Sequence, residues 1–136
     1  HVTPLRREAV VAFLPATWEA PKRLTAQWLA DRPLIMNDSS TQLYRLTAEW
    51  FSAAGVHCRP RIELNYNDAI RTLVAAGYGA ALLPKEPEEH ARDPRIVVRT
   101  LSPVLWRQLG LAVSDRSASG PTRFVLDALL PEKSSA

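Results

Sequence analysis

Residues 67–84 read NDAIRTLVAAGYGAALLP, and most of the fold is legible in them. Ile70, Leu73, Val74 and Gly77 recur at i, i+3, i+4 and i+7, so one side of a helix is apolar while Asp68, Arg71 and Thr72 face away. Gly77 falls where a left-handed residue stops a helix. The run 80–83 (AALL) carries no charge and lies between Gly79 and Pro84, which suits a strand buried on both faces. A helix, a tight stop and an apolar strand are the repeating parts of an open α/β sheet, and such sheets bind ligands in crevices at their strand ends.

Outward from that unit, the same alternation continues. Residues 9–14 read as a strand stopped by Pro15, 25–30 as a short helix and 34–36 as a short strand. The longest helix is expected over 40–54, with Leu43, Leu46, Trp50, Phe51 and Ala54 as its buried stripe and Gly55 as its stop. A strand at 61–64 precedes the helix 68–76. After the apolar strand, 85–94 (KEPEEHARDP) is charged and broken by proline, hence a surface segment. Residues 96–98 and 105–113 are extended. Residues 121–130 form a closing helix with proline at its start, where the missing N–H does no harm.

The chain has 136 residues, 46% of them hydrophobic and 23% charged, enough for a packed core. No apolar run approaches the roughly 18–20 residues of a membrane span. A single cysteine, Cys58, cannot form an internal disulfide, which fits a reducing compartment. The net charge of +3 is spread along the chain, and no groove-entering motif accompanies it, so the basic residues read as a solvated surface.

The motifs also resemble a known family. RIELNYNDAIRTLVAAGYGAALLP at 61–84 is similar to the strand, turn and "lVaaGlGialLP" segment of the effector domain of LysR-type transcriptional regulators. EAVVAFLPATW (8–18), LADRPLIMNDSSTQLYRLTAEWFSAAG (29–55) and LWRQLGLAVSDRSASGPTRFVLDAL (105–129) fit the flanking segments in order. The resemblance implies an α/β fold of the periplasmic-binding-protein-like type 2 kind, with open-sheet half-domains and helices on both faces. It implies a second effector-binding half-domain at 16–104. Residues 1–15 and 105–136 would then be parts of an incomplete first half-domain: a strand, a returning strand and the last helix. Family members carry a winged helix-turn-helix ahead of this region, so DNA contact is expected only through a domain outside this chain, whether trimmed away or missing from a shortened gene product. A strand at 9–14 in an incomplete half-domain would keep unpaired edges, so a homo-oligomer is expected, or else a disordered first half beside an ordered second. The implied setting is cytoplasmic, with no membrane partner.

Two constellations carry the site. Ser39 and Gln42 have capping-box spacing, which alone accounts for Ser39. The same helix start offers spare N–H donors and partial positive charge to a carboxylate or phosphate, which brings in Ser40 and Thr41. Asn65, Tyr66 and Asn67 stand between a strand end and a helix start; Asn65 or Asn67 is expected to cap that helix, and either can face a ligand while doing so. By the resemblance, a small organic acid or anion binds at these six residues, between the half-domains.

Enzyme signatures are missing. His57 and Cys58 are adjacent and point to opposite faces of an extended segment, and His90 has no ligand spacing to either. There is no nucleophile elbow, P-loop or dinucleotide loop. No catalytic residue, metal or cofactor is therefore expected. Two rival readings are a free-standing periplasmic-type solute-binding protein and a fragment that only dimerises.

Overall fold

The computed structural model describes residues 2–86 and 93–112, with side chains at 6–86 and 93–108. In chain order the elements are β1 (Val2–Pro15), β2 (Arg23–Leu24), α1 (Ala26–Ala30), β3 (Leu34–Asn37), α2 (Gln42–Ala53), β4 (Ile62–Leu64), α3 (Asn67–Ala75), β5 (Ala80–Pro84), β6 (Ile96–Leu101) and β7 (Leu105–Ala112). The closing helix expected at 121–130 and most of the charged segment at 85–94 lie outside the described residues. The chain divides into two compact units, residues 9–107 and residues 1–8 with 108–136. Of the smaller unit, the described parts are extended backbone of β1 and β7, strands that pair.

The larger unit is built on a sheet in the order β2-β6-β1-β5-β3-β4. Strand β3 runs parallel to β4 and β5. Strand β1 instead runs antiparallel to β5 and to β6. The crossovers β3-α2-β4 and β4-α3-β5 step across the sheet in opposite directions. Because such connections are right-handed, α2 and α3 fall on opposite faces. All four residues of β3 are buried accordingly.

The apolar run at 80–83 is buried throughout, from Ala80 and Ala81 at 0% exposed to Leu82 at 6%. It is parallel to β3 on one side and antiparallel to β1 on the other, so its burial follows from its position and not from an all-parallel sheet. Strand β1 also requires a correction. Val10–Phe13 pairs with β5 and Ala12–Pro15 with β6, so residues 9–14 form no unpaired edge. Two later strands supply the neighbours that the local sequence could not reveal.

Helix stops match the glycines. Gly77 has φ 91°, and the N–H groups of Gly77 and Tyr78 bond the carbonyls of Val74 and Leu73 at 2.9 and 3.0 Å. Gly55, with φ 73°, ends α2 by the same paired bonds. Helix α3 buries Ile70 and Val74 completely, each stabilising the fold by about 1.5–3 kcal/mol. On α2 the buried residues are Leu43, Thr47, Trp50 and Phe51; Leu46 and Ala54 are only half-buried. The stripe is thus turned slightly from the expected one, so that i+4 from Leu43 faces the core although it is a threonine.

Candidate functional site

Strand β3 ends at Asn37, which lies opposite Leu64 at the end of β4 in parallel register. The turns that follow, 38–41 into α2 and 65–66 into α3, therefore leave the same end of the sheet. These turns contain five of the six candidate residues, and the sixth, Asn67, opens α3.

At the first turn the structure departs from the expected capping box. The N-cap is Thr41, whose Oγ1 accepts from the Tyr44 N–H at 3.1 Å. The Asp38 carbonyl accepts from the Thr41 N–H at 3.0 Å and from Thr41 Oγ1 at 2.8 Å. That closed turn holds back the helix until Gln42, leaving Ser39 exposed ahead of it. Ser40 is also exposed, and its hydroxyl donates to Asp38 Oδ2 at 2.8 Å. Thr41 is committed as donor and acceptor at once, so Ser39 and Ser40 are the exposed hydroxyls of this turn, and Ser40 reaches a ligand by giving up its bond to Asp38. The N–H groups of Gln42 and Leu43 belong to the first turn, where no intrahelical carbonyl reaches them.

At the second turn neither asparagine caps. The N-cap is Tyr66, which makes no side-chain cap hydrogen bond. Asn67 is the first helical residue, and its Oδ1 accepts from Asn37 Nδ2 at 3.0 Å. Asn37 is buried, 7% exposed, and an amide sealed there needs a partner more than the solvent-facing helix start needs a cap. Asn65 is exposed, and Tyr66 stands 75% exposed beside it. Helix α3 thus begins with its first amides uncapped. Asp68 in the first turn is ion-paired by Arg71, which also pairs Glu86, so the positive end of the helix is not cancelled by that carboxylate alone.

The six residues are therefore gathered at one end of the sheet, and the bond that joins the two turns comes from Asn37, which the sequence reading did not single out. Its signal was a polar residue closing the otherwise apolar strand LIMN.

Away from this site, Cys58 Sγ lies 3.2 Å from Met36 Sδ, and burial pushes the thiol up to about 11. Among the described residues, no group of three or more His, Cys, Asp or Glu stands where it could share a metal. Nor is any helix among them long and apolar enough to cross a membrane.

Comparison with known proteins places the chain. It is 32% identical over 102 residues to the "Probable nitrogen assimilation transcriptional activator" of Synechococcus elongatus, covering 74% of this chain and 33% of that protein. It is 34% identical over 88 residues to the HTH-type transcriptional regulator TtuA of Agrobacterium vitis, covering 62% of this chain and 29% of that protein. The chain thus spans about a third of these relatives. Its fold is that of the effector-binding domain of QuiR in complex with shikimate, with a TM-score of 0.81 at 17% identity over 99% of this chain and 65% of that one. The Synechocystis CcmR regulatory domain in complex with 2-PG superposes at a TM-score of 0.79, with 18% identity over 96% of this chain and 65% of that one. This is the periplasmic-binding-protein-like α/β architecture expected from the sequence. The family model for the LysR substrate binding domain matches residues 1–133, and the chain belongs to that family.

Proposed function

We propose that this chain is the ligand-sensing region of a bacterial LysR-type transcriptional regulator. A small organic effector, an acid or other anion, binds at the helix starts carrying Ser39, Ser40, Thr41, Asn65, Tyr66 and Asn67. Binding changes the balance between two arrangements of the protein and so alters transcription through a winged helix-turn-helix elsewhere in it. A ligand does this only by binding one arrangement better than the other. Residues 16–104 act as the second effector half-domain, and 1–15 with 105–136 contribute to the first. The protein works as a homo-oligomer in the cytoplasm, where its DNA is, and as a sensor, not an enzyme.

The observation that carries this reading is the uncapped start of α3 held beside the start of α2 by the Asn37–Asn67 bond. Two sets of first-turn amides and the Ser39 and Ser40 hydroxyls share one end of the sheet. In support, the fold is shared with the QuiR effector binding domain in complex with shikimate and with the CcmR regulatory domain in complex with 2-PG.

Calorimetry against a panel of organic acids that includes shikimate and 2-PG tests it. A hydrogen bond to a charged ligand contributes about 1.5–3 kcal/mol, so Ser40→Ala should weaken binding about tenfold or more with the melting temperature unchanged. Thr41→Val is the wrong probe, because Thr41 caps α2 and its loss costs stability. Affinity that survives both Ser40→Ala and Asn65→Ala would remove the site.

A further inference from the structure

A buried amide at the end of an apolar strand has a cost that an apolar residue of the same size would avoid. Asn37 is 7% exposed, and it follows Leu34, Ile35 and Met36, all buried. Its amide reaches across to Asn67, thirty positions on, at 3.0 Å. This side-chain hydrogen bond ties the first residue of α3 to β3; Arg71 and Thr72 bond Asp68 from within the helix, and Arg71, a turn further on, also pairs Glu86 after β5. On the other side Asn37 is continuous with Asp38, whose carbonyl takes both Thr41 bonds. A short chain of contacts therefore runs from the N-cap of α2 through Thr41, Asp38 and Asn37 to Asn67, the first residue of α3.

Strand pairing alone does not hold the second turn. The β3–β4 register ends at Asn37 and Leu64, and Asn65 and Tyr66 lie beyond it, with no cap bond from Tyr66. We infer that Asn37 and Asn67 are positioning residues for the effector site: their hydrogen bond sets the spacing of the two helix starts, so that amides on both can meet one ligand. This rests on the reading of the site given above and adds to it a pair that need not touch the ligand. Preorganisation of this kind raises affinity by removing the ordering that binding would otherwise have to impose.

The pair is asymmetric, and this makes the inference testable. Asn67 is half-exposed and can be hydrated when its partner is lost, whereas loss of Asn67 strands a buried donor on Asn37. Asn67→Asp keeps the acceptor and places a carboxylate at a helix start, where it is favoured. Amide hydrogen exchange and amide chemical shifts would be recorded for the wild type, Asn37→Ala and Asn67→Asp, with and without sodium phosphate as an anionic probe. In Asn37→Ala, exchange at residues 70–73, where the hydrogen bonds of α3 begin, should quicken about tenfold and shifts at 38–42 should move, while Val10 and Leu83 in the core keep their protection. In Asn67→Asp both turns should keep the wild-type pattern. Should Asn37→Ala not fold, Asn37→Leu fills the same space without the amide and serves in its place.

Unchanged exchange at 70–73 in Asn37→Ala or Asn37→Leu overturns the inference whatever phosphate does. Quickened exchange with Asn67→Asp behaving as wild type supports it. In that case, phosphate shifts at 40–42 and 67–69 that weaken several-fold in Asn37→Ala support the site as well. If phosphate moves neither turn of the wild type, the pairing stands and the anion-site reading is what fails.

Discussion

Gly79 sits between the end of α3 and the start of β5, where a Cβ would come 2.7 Å from the Pro33 carbonyl oxygen and 3.1 Å from its carbon. That carbonyl accepts the Ala80 N–H at 3.0 Å, so it cannot retreat without breaking the β3–β5 pairing. Gly79→Ala should therefore lower stability by about 1–3 kcal/mol in chemical denaturation. A change within the ordinary surface range of about 0.5 kcal/mol would mean that the two strands adjust freely. Cys58 gives a pH prediction. Burial raises its thiol from 9.0 to about 11, so the folded chain holds the proton more tightly than the unfolded one. Its contribution to stability is constant below pH 9.0 and falls as pH rises from there toward 11. Cys58→Ala should flatten the loss of stability across that window, and alkylation of the native protein near pH 8 should be slow beside the unfolded chain. The thiol's burial against Met36 was not visible in the sequence, because it depends on a residue 22 positions away.

The elements themselves were largely written in the sequence. Helix α3, its Gly77 stop and strand β5 stand where the spacing of 67–84 put them, since periodicity and left-handed glycine act within a turn or two. The helix starts were less legible. Ser39 was expected to cap and Thr41 does; Asn65 or Asn67 was expected to cap and Tyr66 stands there without a bond. Polar residues crowd both turns, and several can cap, so the choice falls to whichever arrangement also satisfies Asp38 and Asn37. Helix α2 carries the largest stability prediction. Trp50 is 7% exposed, meets Phe51 edge-on at 5.2 Å and donates its indole N–H to the Pro103 carbonyl at 2.8 Å. Trp50→Ala should cost about 3–5 kcal/mol by urea unfolding. Trp50→Phe keeps much of the packing and loses the donor, so it should cost clearly less; equal costs would assign the whole effect to the hydrogen bond.

At the scale of the molecule, assembly is the open prediction, and its grounds have moved. Strand β1 pairs with β5 along Val10–Phe13 and with β6 along Ala12–Pro15, so it lies between two neighbours and not at an edge. Apolar surface is found instead on β6, the turn after it and the start of β7, where Val98, Val104 and Trp106 are 47%, 49% and 44% exposed. Light scattering should show an oligomer, with Val98→Lys shifting it toward monomer; a monomeric wild type at high concentration would end the proposal. The sequence by itself determined the class of fold, the run of helices and strands from 26 to 84, and where the two polar turns ahead of α2 and α3 fall, because each of these follows from residues close together in the chain. Tertiary structure alone decided that β1 lies antiparallel between β5 and β6, that Thr47 faces the core in place of Leu46, and that Asn37 joins the two candidate turns. Those outcomes depend on which distant segments share buried space, and a buried group takes the partner that the packing brings to it.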